Sequence, residues 1–119
     1  MPREFVRAAP SAAVTSRRFH RVEIQGVPIL LARLADGEAI AFGAVCPHRG
    51  LPLDDGVLWN DQIDCPHHHY TYDARSGANI YPANVFPRER AAAVRGIPVY
   101  AVREENGWVW IAPPGDGTP

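Results

Sequence analysis

Residues 19–24 (Phe-His-Arg-Val-Glu-Ile) alternate between apolar and polar positions, as a half-buried strand does. Gly26 then offers a turn, residues 27–34 form an almost unbroken apolar run, Asp36-Gly37 is a strong hairpin signal, and residues 38–45 read as a further strand. Together these predict a three-stranded meander. Residues 46–82 break the pattern with turn formers: Pro47, Gly50, Pro52, Asp54-Asp55-Gly56, Asn60-Asp61, Pro66, Gly77 and Pro82. Short strands are predicted between them at 57–59, 62–65 and 70–73. Residues 83–92 are loop-like. Residues 94–103 read as one strand, with 108–112 as its hairpin partner across Glu104-Glu105-Asn106-Gly107. Residues 1–16 show no period and are expected to form an extended arm, and residues 114–119 a Pro/Gly-rich tail. No amphipathic helix, repeat or interdomain linker is evident. The pattern predicts an all-β sandwich or small barrel of seven to ten short strands over residues 17–113, with an insertion at about 46–82.

Composition narrows the function classes. A chain of 119 residues, 46% hydrophobic, suits one domain with a single modest core. Its net charge of −1 gives no overall attraction to nucleic acid or to an acidic membrane. All 12 basic residues are Arg, so Schiff-base chemistry on a Lys is excluded. No apolar run approaches the roughly 18 residues of a membrane span. The N-terminus has neither a signal-peptide pattern nor a myristoylation glycine. A soluble, cytoplasmic protein is expected, and two Cys make no disulfide scaffold.

Both Cys and four of the five His lie between residues 46 and 69. They form two similar phrases, Cys46-Pro47-His48-Arg49-Gly50 and Cys65-Pro66-His67-His68-His69-Tyr70. Each puts a thiolate and an imidazole on one tight turn with a backbone-restraining Pro. Two such turns can present two sulfurs and two ring nitrogens to iron–sulfur, Zn or Cu(I) centres.

The order Cys-x-His, sixteen residues, Cys-x-x-His resembles the Rieske iron–sulfur family, in which two His replace two Cys on one iron of a [2Fe–2S] cluster. The likeness extends through Leu51-Pro52-Leu53, the stretch from Asp73 to Gly77, and the hairpin at 94–113, which is similar to that of ring-hydroxylating oxygenases. The resemblance implies a Rieske-type antiparallel β-sandwich with an inserted cluster-binding subdomain. It implies one [2Fe–2S] cluster per chain, with Cys46 and Cys65 on the inner iron and His48 and His68 on the outer. His67 and His69 would flank the cluster, position 69 being often Gly in the family. Pro82 matches the loop that covers the cluster, and Tyr72 matches a Tyr whose hydroxyl donates to a cluster-ligand sulfur, here that of Cys46. Respiratory members carry two further bridged Cys that this chain lacks. Two neutral His ligands reduce the cluster's negative charge, and Rieske centres span about −150 to +300 mV. A low-to-intermediate potential is expected, above that of oxygenase-type centres with Phe at position 72.

Other readings stand beside this one. The same four residues could hold Zn, although Cys-x-His is not a usual structural zinc pair. A Cys46–Cys65 disulfide or a cluster-less family member is a further alternative. Trp108 and Trp110 share one strand face and read as half-buried sheet rather than a substrate site. His20 reads as an exposed strand residue. Trp59 is expected to shield the metal site or fill the subdomain core. Asp54, Asp55, Asp61 and Asp64 read as turn solvation, or as an acidic rim that steers a basic redox partner.

The remaining His are too few for a non-haem iron with two His and a carboxylate. The chain has no room for an oxygenase catalytic domain and no Gly-rich dinucleotide fingerprint. No catalysis by the chain alone is expected. The leading expectation is a stand-alone Rieske-type ferredoxin passing electrons from a reductase to a terminal non-haem iron oxygenase through transient contacts. The alternatives are a Rieske subunit or detached domain permanently bound to a catalytic chain, and a non-redox binding domain on the same scaffold.

Overall fold

The computed structural model describes residues 5–47, 50–66, 69–87 and 95–112. Among these, eleven strands and two 3-10 turns make up the regular structure, and no α-helix is present. The expected all-β, antiparallel architecture is therefore found.

The predicted meander forms the centre. β2 (His20–Ile24), β3 (Val27–Arg33) and β4 (Ala39–Gly43) pair antiparallel in sequence order, and the two-residue β9 (Val99–Tyr100) adds to the far edge of β4. Ile29, Leu31, Ala39 and Ala41 pack to one side of this sheet, and Leu30, Ala32, Ile40 and Phe42 to the other. Both faces are covered, which is why residues 27–32 are apolar throughout rather than alternating.

One covering layer is the sheet β1–β11–β10, with β1 at Val6–Pro10, β10 at Val102–Glu105 and β11 at Trp108–Ile111. Here the structure corrects two expectations. Residues 6–10, expected to lie in an arm, are a strand in register with β11, pairing Val6 with Ile111 and Pro10 with Trp108. A run read locally as patternless is ordered by a partner about a hundred residues away. The strand expected over 94–103 is instead divided: residues 95–98 are irregular, β9 joins the central sheet, and β10 joins β11 in another. The chain changes sheets at Ala101. As expected, Trp108 and Trp110 share the half-buried outer face of β11 while Val109 and Ile111 are buried inside. Arg7 stacks over the Trp108 ring at 4.4 Å.

The other layer is the insertion, a sheet in the order β5 (Val57–Trp59), β6 (Gln62–Asp64), β7 (Thr71–Asp73) and β8 (Asn79–Tyr81). The sequence pattern did not reveal β8. Leu53, Ile63 and Tyr72 pack this unit onto Phe42 and Phe19. Gly77 locks it to the base: at φ +79 its carbonyl accepts the Ile97 N–H at 2.8 Å, and a Cβ there would collide with the Ile97 carbonyl.

Candidate metal centre

Cys46 and Cys65 begin two loops of the same backbone form. The Cys46 N–H donates to the Leu51 carbonyl at 2.8 Å, and the Gly50 N–H returns to the Cys46 carbonyl at 2.8 Å. In the second loop the Cys65 N–H donates to the Tyr70 carbonyl at 2.9 Å, and the His69 N–H to the Cys65 carbonyl at 3.0 Å. Each loop closes through a left-handed residue four positions after its Cys, Gly50 at φ 70 and His69 at φ 57. Gly takes this conformation freely, whereas a residue with a Cβ is strained there. Position 69 is thus the structural equivalent of Gly50.

Both cysteines are free thiols, 1% exposed, within one apolar cluster with Tyr72. The disulfide alternative is not what the structure shows. The Tyr72 hydroxyl lies 3.5 Å from Cys46 Sγ and interacts electrostatically with Cys65 as well. Burial pushes the Tyr72 pKa up, and the hydrogen bond to Cys46 adds to the shift, so the hydroxyl keeps its proton. It therefore offers an O–H donor to the Cys46 sulfur, and both cysteine sulfurs are shut away from water. Buried thiolates are tolerable only with bound cations and such donors, and this donor set fits an iron–sulfur group.

Sequence reasoning missed Asn79. Its side chain interacts with the Tyr72 hydroxyl, donates to the Tyr81 carbonyl at 2.9 Å and accepts the Ala83 N–H at 3.0 Å. It thereby fastens the loop carrying the buried Pro82, with its 3-10 turn Ala83–Val85, to the strand behind the cysteines. An Asn three residues before a loop proline was the only local signal. His48, His67 and His68 lie outside the described residues.

With this geometry in place, residues 4–101 match the Rieske [2Fe-2S] domain. The chain belongs to the Rieske [2Fe–2S] domain family. Membership implies a Rieske-type [2Fe–2S] cluster. The chain is 36% identical over 93 residues to "Dicamba O-demethylase, oxygenase component" of Stenotrophomonas maltophilia, covering 78% of this chain and 26% of that protein. It thus spans about a quarter of that relative's length. The crystal structure of apo dicamba monooxygenase superimposes with a TM-score of 0.81 at 27% identity, over 97% of this chain and 33% of that one. The Sphingomonas yanoikuyae B1 ferredoxin gives 0.76 at 26% identity, over 93% of this chain and 100% of that one. These likenesses support a Rieske iron–sulfur electron carrier.

The surroundings correct two expectations about this Rieske domain. Trp59 neither shields the cysteines nor fills the core, being 71% exposed. Of the rim acids, Asp54 pairs with Arg21 at 2.8 Å, whereas Asp61 shares Arg75, at 3.4 Å, with Asp36 and Glu38. Among the described residues, Asp64 Oδ1 is buried with no hydrogen-bond partner and has His69 Nδ1 at 3.5 Å, on an imidazole that is 79% exposed. His20, expected to be exposed, is instead half-buried on β2. No helix among the described residues is long and apolar enough to cross a membrane.

Proposed function

We propose that this Rieske domain is a one-electron carrier that takes an electron from a reductase and passes it to a terminal non-haem iron oxygenase by transient contact. Cys46, His48, Cys65 and His68 are assigned as the cluster ligands, by the match of their spacing to the family. The bound cluster supplies the one-electron chemistry. The protein's own part is to keep Cys46 and Cys65 away from water, hold both loops closed through the Gly50 and His69 amides, and donate the Tyr72 O–H to the Cys46 sulfur. Pro82, on the loop fastened by Asn79, is assigned to cover the site. Burial and donors near sulfur are the protein's levers on potential.

The observation that carries this reading is the ferredoxin match, in which this fold accounts for 100% of a ferredoxin chain. A second reading is a Rieske domain or subunit belonging to a larger oxygenase, favoured by the 36% identity to an oxygenase component. The test is anaerobic titration of the purified protein with dithionite, followed by absorption and EPR, then stopped-flow transfer to a non-haem iron oxygenase of the same host. A red-brown protein taking up one electron per two iron and reoxidised by the oxygenase is expected. A colourless protein expressed with ample iron and sulfide would overturn it. Co-purification in fixed ratio with a catalytic chain would decide for the second reading.

A further inference from the structure

Strands β5 to β8 turn Leu58, Ile63 and Tyr72 toward the core and leave the opposite face of the sheet open. Register sets Val57, Asp64, Thr71 and Tyr81 in one row across that face, and Trp59, Gln62 and Asp73 in the next. Trp59 is 71% exposed, Val57 53% and Tyr81 44%. The backbone that carries Trp59 is held in place. The Asn60-Asp61 turn beyond it has both residues left-handed, and it is tied to the base by Ala74 N–H to Asp61 O at 3.1 Å and by Arg75 to the Asp61 carboxylate at 3.4 Å. A solvent-facing Trp exposes apolar surface to water in the free protein, and exposed Trp residues are favoured anchors of protein–protein contacts.

We propose that this face is the docking surface for a partner protein presenting arginine. The proposal rests on the electron-carrier function above and names the chemistry of the partner. Charge complementarity carries it. Arg21 pairs with Asp54, while the single charge of Arg75 is shared by Asp36, Glu38 and Asp61, so the acids beside this face stay in excess. The formal charges on the described strand residues of the open face are Asp64 and Asp73, both negative. Asp73 accepts the Ser76 N–H and Oγ–H, neutral donors that leave its charge in place. Asp64 lies on the diagonal from Trp59, about 7–8 Å away in an antiparallel ladder. A guanidinium is planar and weakly hydrated, so it stacks on the indole while its N–H edge turns to the carboxylate, which an ammonium does less well. β6 runs straight into Cys65, so a partner held here lies beside the second cysteine loop.

The test is fluorescence polarisation of labelled hexa-arginine, hexa-lysine and hexa-glutamate against the cluster-loaded protein at low ionic strength, with visible absorption recorded for each variant. Hexa-arginine is expected to bind at least threefold tighter than hexa-lysine, and hexa-glutamate not at all. Trp59→Ala and Gln62→Arg should each weaken hexa-arginine at least fivefold, and Trp59→Tyr should retain most of the binding. Equal binding to wild type and Trp59→Ala overturns the docking surface. So does a wild-type dimer that Trp59→Ala dissolves, which would make a second copy the occupant. A protein without the cluster's absorption defeats the carrier reading while leaving the peptide result to stand on its own.

Discussion

Tyr72 shows how one residue acts through a neighbour. Its hydroxyl has Cys46 Sγ at 3.5 Å and no access to water. Reduction adds negative charge to the sulfurs of a cluster, so an O–H donor at a ligand sulfur stabilises the reduced form. Tyr72→Phe should therefore lower the potential, by roughly 20–60 mV if the bond contributes a typical 0.5–1.5 kcal/mol to a one-electron couple. Redox titration of both proteins measures it, and an unchanged potential would show that the hydroxyl does not tune the cluster. The Tyr at position 72 was legible in the sequence through its family position. The Asn79 interaction with its hydroxyl was not, because nothing in a sequence aims one side chain at another across strands.

Between elements, the Arg33 guanidinium on β3 is the principal fastener. It donates to the Val14, Gly37 and Ser11 carbonyls at 2.9, 2.8 and 3.1 Å, and it grips both oxygens of Glu104 on β10 at 3.0 and 2.9 Å. The hydrogen bond to Arg33 lowers the Glu104 pKa from its ordinary 4.5. A carboxylate held below its unfolded pKa contributes stability that is complete above that value and is lost as the pH falls through the folded one. Urea unfolding should therefore show Glu104→Gln less stable than wild type by about 1 kcal/mol at pH 7, a value typical of a partly exposed pair. The gap should close as the pH drops from 5 toward 3. A gap independent of pH would mean that the loss is packing and not charge.

At the scale of the whole molecule, the insertion is held to the base by close backbone contact at Gly77. Gly77→Ala places a Cβ against the Ile97 carbonyl at a left-handed φ, and should cost roughly 3 kcal/mol in denaturant unfolding. A loss below about 1 kcal/mol would show that the contact relaxes freely. Removing the cluster with a chelator under mild acid leaves two buried thiols in loops built around a ligand. Because metal binding is coupled to folding, circular dichroism should show the melting midpoint falling by on the order of 10 °C. An equal midpoint would mean that the two loops keep their form through the Gly50 and His69 amide bonds alone.

What the amino-acid order determined by itself was whatever depends on near neighbours. The apolar run of β3, the Asp36-Gly37 and Asn106-Gly107 turns, the all-β class and the Cys/His spacing all follow from local conformational preference and short chain separations. That His69 is left-handed where the first loop has Gly50 is a finding of the structure. What only the tertiary structure decided was pairing at long range. β1 is a strand because β11 offers it a ladder, and the run before Glu104 is divided because two sheets compete for it. Trp59 lies outside although it is apolar, and Asp54 is paired by Arg21 while Arg75 is shared among Asp36, Glu38 and Asp61, all from separate parts of the chain. Propensity and turn chemistry act over a few residues, whereas which face is buried and which charge is paired are settled by segments that meet only on folding.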